Sequence, residues 1–187
     1  GEDFPRLEDV NRFILDNGAI PTFAFLDGTS SGEQRMGELL DVMTASGVAA
    51  VNIIPDRNWN IADPETRALK VRNLGEFIGQ AKERDLPILV GTEMNAHGQK
   101  RVDDFDALEL APFYDVFQEG MYILHAHTVL QRHGGMGYLS AWAGDAFTTT
   151  REKNAFFREF GKRAAPDAAL NLEGAATPEE LLARTAG

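Results

Sequence analysis

Three short apolar segments of the chain are each followed by polar residues that could do chemistry. Asp27 comes after the first segment, Asp56 and Arg57 after the second, and Glu93 after the third. In parallel β/α folds, ligand-binding residues gather at the carboxyl ends of the strands, which share one rim. The sequence therefore predicts that the three polar clusters converge on one site. The apolar segments span residues 19–26, 48–54 and 86–90.

Glu93 is the strongest candidate for a catalytic residue. It follows the apolar run Ile88-Leu89-Val90, where an ionised carboxylate is costly to bury unless a cation or hydrogen-bond donors stabilise it. A bound metal ion, an arginine or a role in catalytic proton transfer would each explain a carboxylate at this position. The structural alternative is a buried ion pair without a function. We predict His97 as the second catalytic residue, and Glu93, His97 and Asp27 as metal ligands.

The same rim is predicted to bind a small anionic substrate. Arg57 would offer a fork for a carboxylate or phosphate, and the free N–H groups of a helix that begins near Ser30 suit the same group. Residues 55–60 are expected to form a polar loop, in which Trp59 is an unusually large ring, and substrate contact would explain it. The alternatives are a turn at Asp27, a helix cap at Ser30 and a surface ion pair between Asp56 and Arg57. The predicted substrate-binding residues are Asp27, Ser30, Asp56, Arg57, Asn58, Trp59 and Asn95.

The motif His125-Ala126-His127 allows two interpretations. On a strand, alternate residues share a face, and the two histidines could then bind one metal ion. On a helix, residues two apart point in nearly opposite directions. Phe117, Met121 and Leu124 recur at helical spacing, which favours the helix.

Amphipathic helices are predicted between the apolar segments. Ser30 and Glu33 form a capping-box pattern, and Asp63-Pro64 combines a cap with proline at the first helical position. Continuously apolar strands joined by helices are typical of parallel sheets. The helices are expected over residues 6–17, from Ser30 to Gly47, and from Asp63 onward.

The second half of the chain is predicted to be mainly helical. Gly134-Gly135 should end one helix and Thr177-Pro178 should begin another. Residues 134–150 are the loosest segment and residues 169–172 are a weak strand candidate. Further helical stretches are expected over residues 105–118, 116–133 and 151–165.

Together these patterns predict an α/β fold in a single domain, residues 1–187. We expect parallel β/α units of a partial TIM-like barrel, with three to four strands, over residues 1–104. A helical carboxyl-terminal half, residues 105–187, should follow. A complete eightfold barrel usually needs about 200 residues or more, and the chain has 187.

Composition excludes several classes of protein. There is no cysteine, which excludes disulfides, zinc–thiolate sites and thiol nucleophiles and suits a cytoplasmic location. The formal net charge of −11, without a basic stripe, argues against binding nucleic acid. No apolar stretch approaches the ~20 residues of a membrane span, so we expect no membrane partner.

The motif Gly91-Thr92-Glu93 at the end of a strand resembles the polymerase and histidinol phosphatase family of metal-dependent phosphoesterases. The segments NIIPDRNWNI and GTEMNAHGQKRVDDF also resemble the carboxyl-terminal part of large proteins related to that family. The resemblance covers residues 19–110 and implies that Glu93 is a metal ligand. The family's opening His-x-His strand and closing Asp-x-His have no counterpart in this chain. The resemblance therefore implies the carboxyl-terminal portion of a larger barrel protein.

These observations predict a metal-dependent hydrolase of phosphoesters, or a carboxyl-terminal portion of one, that uses Zn, Mn or Fe. One alternative is a non-catalytic domain that binds a small ligand or a partner. Another is a barrel sugar isomerase or epimerase, in which Glu93 would hold a metal or act as a base. The open edges of a partial barrel also predict a homodimer or an amino-terminal partner domain.

Overall fold

The computed structural model of the chain describes residues 4–94, 97–98, 101–165 and 171–185. Parallel β/α units occupy its first half and helices its second. The strands are β1 (Thr22–Phe25), β2 (Ala50–Ile53) and β3 (Ile88–Val90). The helices are α1 (Leu7–Asp16), α2 (Met36–Ala45), α3 (Pro55–Trp59), α4 (Pro64–Glu83), α5 (Tyr114–Gly134), α6 (Ala141–Ala146), α7 (Thr150–Arg163) and α8 (Pro178–Ala183). Short 3-10 turns at Glu33–Arg35 and Ala111–Phe113 precede α2 and α5.

The three strands form a small open sheet in the order β1-β2-β3, and both strand pairs are parallel. The predicted parallel β/α units are thus confirmed, whereas a partial barrel is not. Register pairs Phe25 with Ile53 and Ile53 with Val90, so all three strands end at nearly the same level. The polar residues that follow the strands consequently lie along one edge of the sheet.

One face of the sheet packs against α2 and α4 and forms the first hydrophobic core. Phe25 stacks on Phe77 of α4 with ring centroids 4.1 Å apart, and both side chains are fully buried. Asp63 begins α4 as predicted, because its carboxylate accepts a hydrogen bond from the Thr66 N–H at 2.8 Å. The buried members of this core include Leu40, Val51, Ile53, Leu74, Phe77, Ile78, Ile88 and Phe117.

Helix α5 joins the sheet to a second core, which α6, α7 and α8 complete. Gly120 of α5 lies so close to the carbonyl oxygen of Ile88 that a Cβ atom would overlap it. Gly161 of α7 approaches the Tyr122 carbonyl oxygen of α5 in the same way. The second core includes Ile123, Leu130, Tyr138, Phe156, Phe157, Phe160 and Leu181.

Helix α5 also covers the outer edge of β3. The Pro87 carbonyl accepts from the Val51 N–H at 2.9 Å and therefore faces β2. Carbonyls of successive strand residues point to opposite sides, so the Ile88 carbonyl faces outward, where Gly120 meets it. This edge of the sheet is not available to pair with another strand.

Three expectations from local sequence pattern were wrong in detail. Residues 55–59 form the short helix α3 rather than a loop, since Pro55 is pre-organised for a first helical turn. Residues 141–146, within the segment predicted to be loosest, form α6, which Ser140 caps at 3.2 Å. Residues 105–110 are irregular, and α5 begins only at Tyr114. Residues 169–170 of the strand candidate at 169–172 lie outside the described residues, and residues 171–172 are not in a strand.

Two helices, α4 and α5, are long enough to be compared with a membrane span. Neither they nor the other helices among the described residues combine that length with enough apolar side chains to cross a bilayer. This agrees with the absence of an apolar stretch of that length in the sequence.

We predict that Gly120→Ala destabilises the fold, because the added methyl group would force α5 away from β3. Overpacking of this kind typically costs about 1–3 kcal/mol. Gly79→Ala in α4 is the matched control, since a Cβ there meets nothing within 4 Å. It should stabilise the protein by up to about 1 kcal/mol, as alanine replaces glycine in a helix. Urea unfolding of both variants tests this, and equal stability of the two would contradict the packing role of Gly120.

Candidate functional site

A solvent-open cavity of about 370 Å3 lies beyond the carboxyl ends of β2 and β3. Its walls come from the residues that follow each strand and from the segment that leads toward α5. Its position is where parallel β/α folds place their ligands. The lining residues are Ile54, Asp56, Arg57, Asn60, Glu93, Gly98 and Asp103.

An ion pair between Arg57 and Glu93 spans the cavity from one strand end to the next. The Nη1 and Oε2 atoms are 3.5 Å apart, and the side chains are 44% and 32% exposed. Arg57 stands on α3, which starts directly after β2, while Glu93 follows β3. Within the described part of the chain, neither side chain makes another ion pair or hydrogen bond. Because the pair is partly exposed and makes a single long contact, it contributes little to stability.

A hydrogen-bonded wall stands beside this pair. The Asp56 N–H donates to Oδ2 of Asp103 at 3.3 Å, and the Asp103 N–H donates to the Thr92 hydroxyl at 3.3 Å. The Asn60 side-chain amide donates to Oδ2 of Asp56 at 3.2 Å. Asp103 is buried. These bonds hold α3 against the segment that follows β3.

The end of β1 differs from those of β2 and β3, because the carboxylate that follows it, that of Asp27, is bonded to other side chains of the fold. Asp27 accepts from Nζ of Lys70 at 2.9 Å, and from the backbone and hydroxyl of Thr29 at 3.0 and 2.5 Å. Burial raises the pKa of Asp27, but the hydrogen bonds from Thr29 and Lys70 outweigh it and hold that pKa below its ordinary value. Asp27 does not line the cavity.

Three other predicted substrate-binding residues make structural contacts. Ser30 accepts from the Glu33 N–H at 3.3 Å, and buried Glu33 in turn accepts from the Leu26 N–H at 2.7 Å. Asn58 is fully buried, and its amide donates to the carbonyls of Leu26 and Ile54, both at 3.0 Å. Trp59 packs against the first hydrophobic core. None of the three lines the cavity.

The predicted metal ligands are not assembled in the described residues. Asp27 is paired with Lys70 and Glu93 with Arg57, while His97 lies in an exposed turn. No group of three or more histidine, aspartate or glutamate side chains in the described ranges is arranged to hold a metal ion. Asn95, predicted to bind substrate, lies outside the described residues.

The two histidines of the His-x-His motif point to different parts of the fold, as the helical interpretation requires. Nε2 of His125 lies 2.9 Å from the Ala164 carbonyl at the end of α7. Nδ1 of buried His127 accepts from the Tyr138 N–H at 3.0 Å. A metal site shared by His125 and His127 on a strand is therefore excluded, since both lie on α5.

Sequence reasoning missed two polar side chains of the cavity, Asn60 and Asp103, as well as Ile54 and Gly98. Asn60 directly follows α3, and recognition of that helix would have been the signal, because a residue four positions after Asp56 lies on the same helix face. Asp103 is 47 residues from Asp56, so no local pattern links them. Sequence reasoning did correctly place Asp56, Arg57 and Glu93 at one rim.

No protein-family model, curated protein or solved structure matches the chain. The cavity, with its Arg57–Glu93 pair, is thus the feature from which function can be inferred.

We predict that His127 makes stability depend on pH. Burial lowers the pKa of His127 below 6.5, and a hydrogen bond with the Gly18 backbone offsets this only in part. The unfolded chain then binds the proton more readily, so the contribution of His127 is fully present above pH 6.5 and is lost as the pH falls below that value. His127→Phe should flatten this slope in melting temperatures measured from about pH 8 to about pH 5. The exposed His133→Gln is the control and should keep the slope, and a slope unchanged in His127→Phe would contradict the assignment.

Proposed function

We propose that the cavity at the ends of β2 and β3 binds a small phosphoester and supports its metal-dependent hydrolysis. The observation that carries the proposal is the Arg57–Glu93 pair, which puts a guanidinium and a carboxylate side by side in an open cavity. Both groups keep most of their hydrogen-bonding capacity. The resemblance of Gly91-Thr92-Glu93 to a phosphoesterase motif points the same way.

Arg57 is the group that would bind the phosphate. A guanidinium has five N–H donors in a planar fork that matches two phosphate oxygens. Only one long contact holds Arg57 to Glu93, at 3.5 Å, so a phosphate could replace it at small cost. Two charge-assisted hydrogen bonds would then take the place of one weak ion pair.

Glu93 becomes available when Arg57 turns to the phosphate. Its carboxylate can then accept a proton from a water molecule that attacks the phosphorus, while the ester P–O bond breaks and the alcohol leaves with a proton from solvent; alternatively, it can ligate a cation. Asp56 and Asp103 line the same cavity and keep its wall in place through the hydrogen bond between them. Proton transfer by a positioned carboxylate typically contributes a factor of about 100 to 10,000 to the rate.

The oxygen donors fit a divalent cation that is shared with the substrate. Mg2+ and similar hard ions are commonly held by one or two carboxylates together with substrate phosphates, so a complete protein cage is not needed. Glu93 would hold such an ion, with Asp56 or Asp103 as the second donor. A bound cation would supply an activated water and offset the phosphate charge. An all-oxygen set favours Mn2+ or Mg2+ over Zn2+.

A second candidate is a site that binds a small anionic ligand without catalysis. It is favoured by the pairing of Glu93 with Arg57 and by the lack of a three-ligand group in the residues that the structure describes. Arg57 would have the same role in it, whereas Glu93 would serve only to orient Arg57.

We predict that Glu93→Gln lowers kcat/KM for p-nitrophenyl phosphate by about 100-fold or more in the presence of Mn2+ or Mg2+. Arg57→Ala should mainly raise KM, because it removes the phosphate fork. Steady-state kinetics of the purified chain measure both effects.

The Arg67–Glu109 pair provides a matched control. Its atoms are 3.6 Å apart and its side chains are 38% and 30% exposed, but neither residue lines the cavity. Glu109→Gln should leave the kinetics unchanged. Activity that survives Glu93→Gln would contradict hydrolysis at this site, and phosphate binding without turnover would favour the second candidate.

Metal binding gives an independent prediction. Titration calorimetry with Mn2+ and phosphate together should show tighter cation binding than Mn2+ alone, because the substrate completes the coordination. Glu93→Gln should weaken that binding and Glu109→Gln should not. Equal Mn2+ affinity in wild type and Glu93→Gln would exclude Glu93 as a ligand.

A further inference from the structure

The face of the sheet opposite α2 and α4 is partly open to solvent. Side chains alternate along a strand, so Phe23 and Phe25 point into the first core while Thr22 and Ala24 point to the opposite face. Both Thr22 and Ala24 are exposed. On the central strand β2, Asn52 occupies this open face, beside Ala24 in the register.

Asn52 differs from the other asparagines that the structure describes, because its side chain makes no hydrogen bond. Each of the others bonds through its side chain, for the most part to the backbone. Asn11, for instance, donates to the Ser46 carbonyl at 2.7 Å and Asn73 to the Asp27 carbonyl at 3.1 Å. The remaining examples are Asn17, Asn58, Asn60, Asn154 and Asn171. The amide atoms of Asn52 are not buried, so the amide can donate to and accept from a ligand without breaking a hydrogen bond within the fold.

Gly91 leaves the room that the Asn52 amide occupies. A Cβ atom at position 91 would lie 3.2 Å from Oδ1 and 3.4 Å from Nδ2 of Asn52. On its other side Asn52 has the small, exposed Ala24. This face is thus accessible from solvent around Ala24 and Asn52, whereas Ala50 and Leu89, on the same face, are buried.

Asn52 and Gly91 each precede, by two residues, a residue that lines the cavity of the proposed function. Ile54 and Glu93 both line that cavity, and each is two residues further along the chain from Asn52 or Gly91. Ile54 keeps the extended backbone of β2, with φ −110° and ψ 95°, so Asn52 lies roughly 7 Å before it on the same face of the chain. A ligand with its phosphate at Arg57 and Glu93 can therefore extend over Asn52.

We propose that Asn52 is a specificity-determining residue that hydrogen-bonds the alcohol part of the substrate. A side-chain amide both donates and accepts, as a hydroxyl group does. The substrate class is then the phosphate ester of a small polyhydroxylated alcohol, with the phosphate at the Arg57–Glu93 pair and hydroxyl groups over Asn52. This inference rests on the proposed phosphate site.

Calorimetry with two probes, inorganic phosphate and ribose-5-phosphate, tests the inference. Wild type should bind ribose-5-phosphate more tightly than phosphate. Asn52→Leu, which keeps the shape of the side chain and removes its polar atoms, should weaken ribose-5-phosphate by about tenfold and leave phosphate binding unchanged. Gly91→Ala, whose methyl group would press on the amide at 3.2 Å, should weaken ribose-5-phosphate binding to a smaller degree. Thr22→Val, on the same face but further from the cavity, is the control and should change neither affinity.

The outcomes separate this inference from the proposed function. Phosphate binding that requires Arg57, together with ribose-5-phosphate binding that ignores Asn52, would overturn the role of Asn52 alone. Failure of both probes to bind wild type would overturn the phosphate site and this inference with it. Equal loss of both probes in Asn52→Leu would show a structural role and also overturn the proposal. The NMR signals of the Asn52 amide in wild type give a check without substitution, since they should shift with ribose-5-phosphate and not with phosphate.

Discussion

The close approach of Gly120 to the Ile88 carbonyl is the contact on which the joining of the two cores depends. It lets α5 lie against the outer edge of β3, so that a strand only three residues long is covered on both sides, by β2 and by a helix. From there α5 continues into the second core, where Gly161 brings α7 equally close. One helix thus contributes to both cores, and two glycines set its distance from its neighbours. A larger residue at either position would separate elements that have no other means of packing so closely.

The elements of the first half were predictable because their signals are local. Apolar runs, caps such as Asp63-Pro64 and the terminating Gly135 depend on residues within a few positions of one another. The way α5 covers the sheet edge was not predictable, since it depends on a meeting between Gly120 and Ile88, which lie far apart in the chain. Helix α3 was missed because polar residues such as Arg57 and Asn58 resemble a loop, although Pro55 favours a first helical turn.

The candidate site shows the same division between local and distant information. The strand-end rule brought Asp56, Arg57 and Glu93 together correctly, because parallel topology alone places them on one edge. The rule could not show that Asp27 forms an ion pair with Lys70. Lys70 lies on α4, 43 positions later in the chain, and only the folded structure shows this contact. The structural role of His127 likewise depends on a contact that no local pattern predicts, because the Tyr138 N–H donates a hydrogen bond to one of its ring nitrogens.

The three strand ends therefore have different roles, and Asn58 links the ends of β1 and β2. Its buried amide ties the Leu26 carbonyl after β1 to the Ile54 carbonyl after β2. Two neutral hydrogen bonds in a dry environment hold that spacing more firmly than an exposed ion pair could. These bonds tie α3 to the ends of β1 and β2, while Arg57 of the same helix keeps only a weak contact with Glu93. A well-bonded support under loosely paired charged groups is what a binding site needs, because the ligand can replace the weak contact without breaking the bonds of the fold.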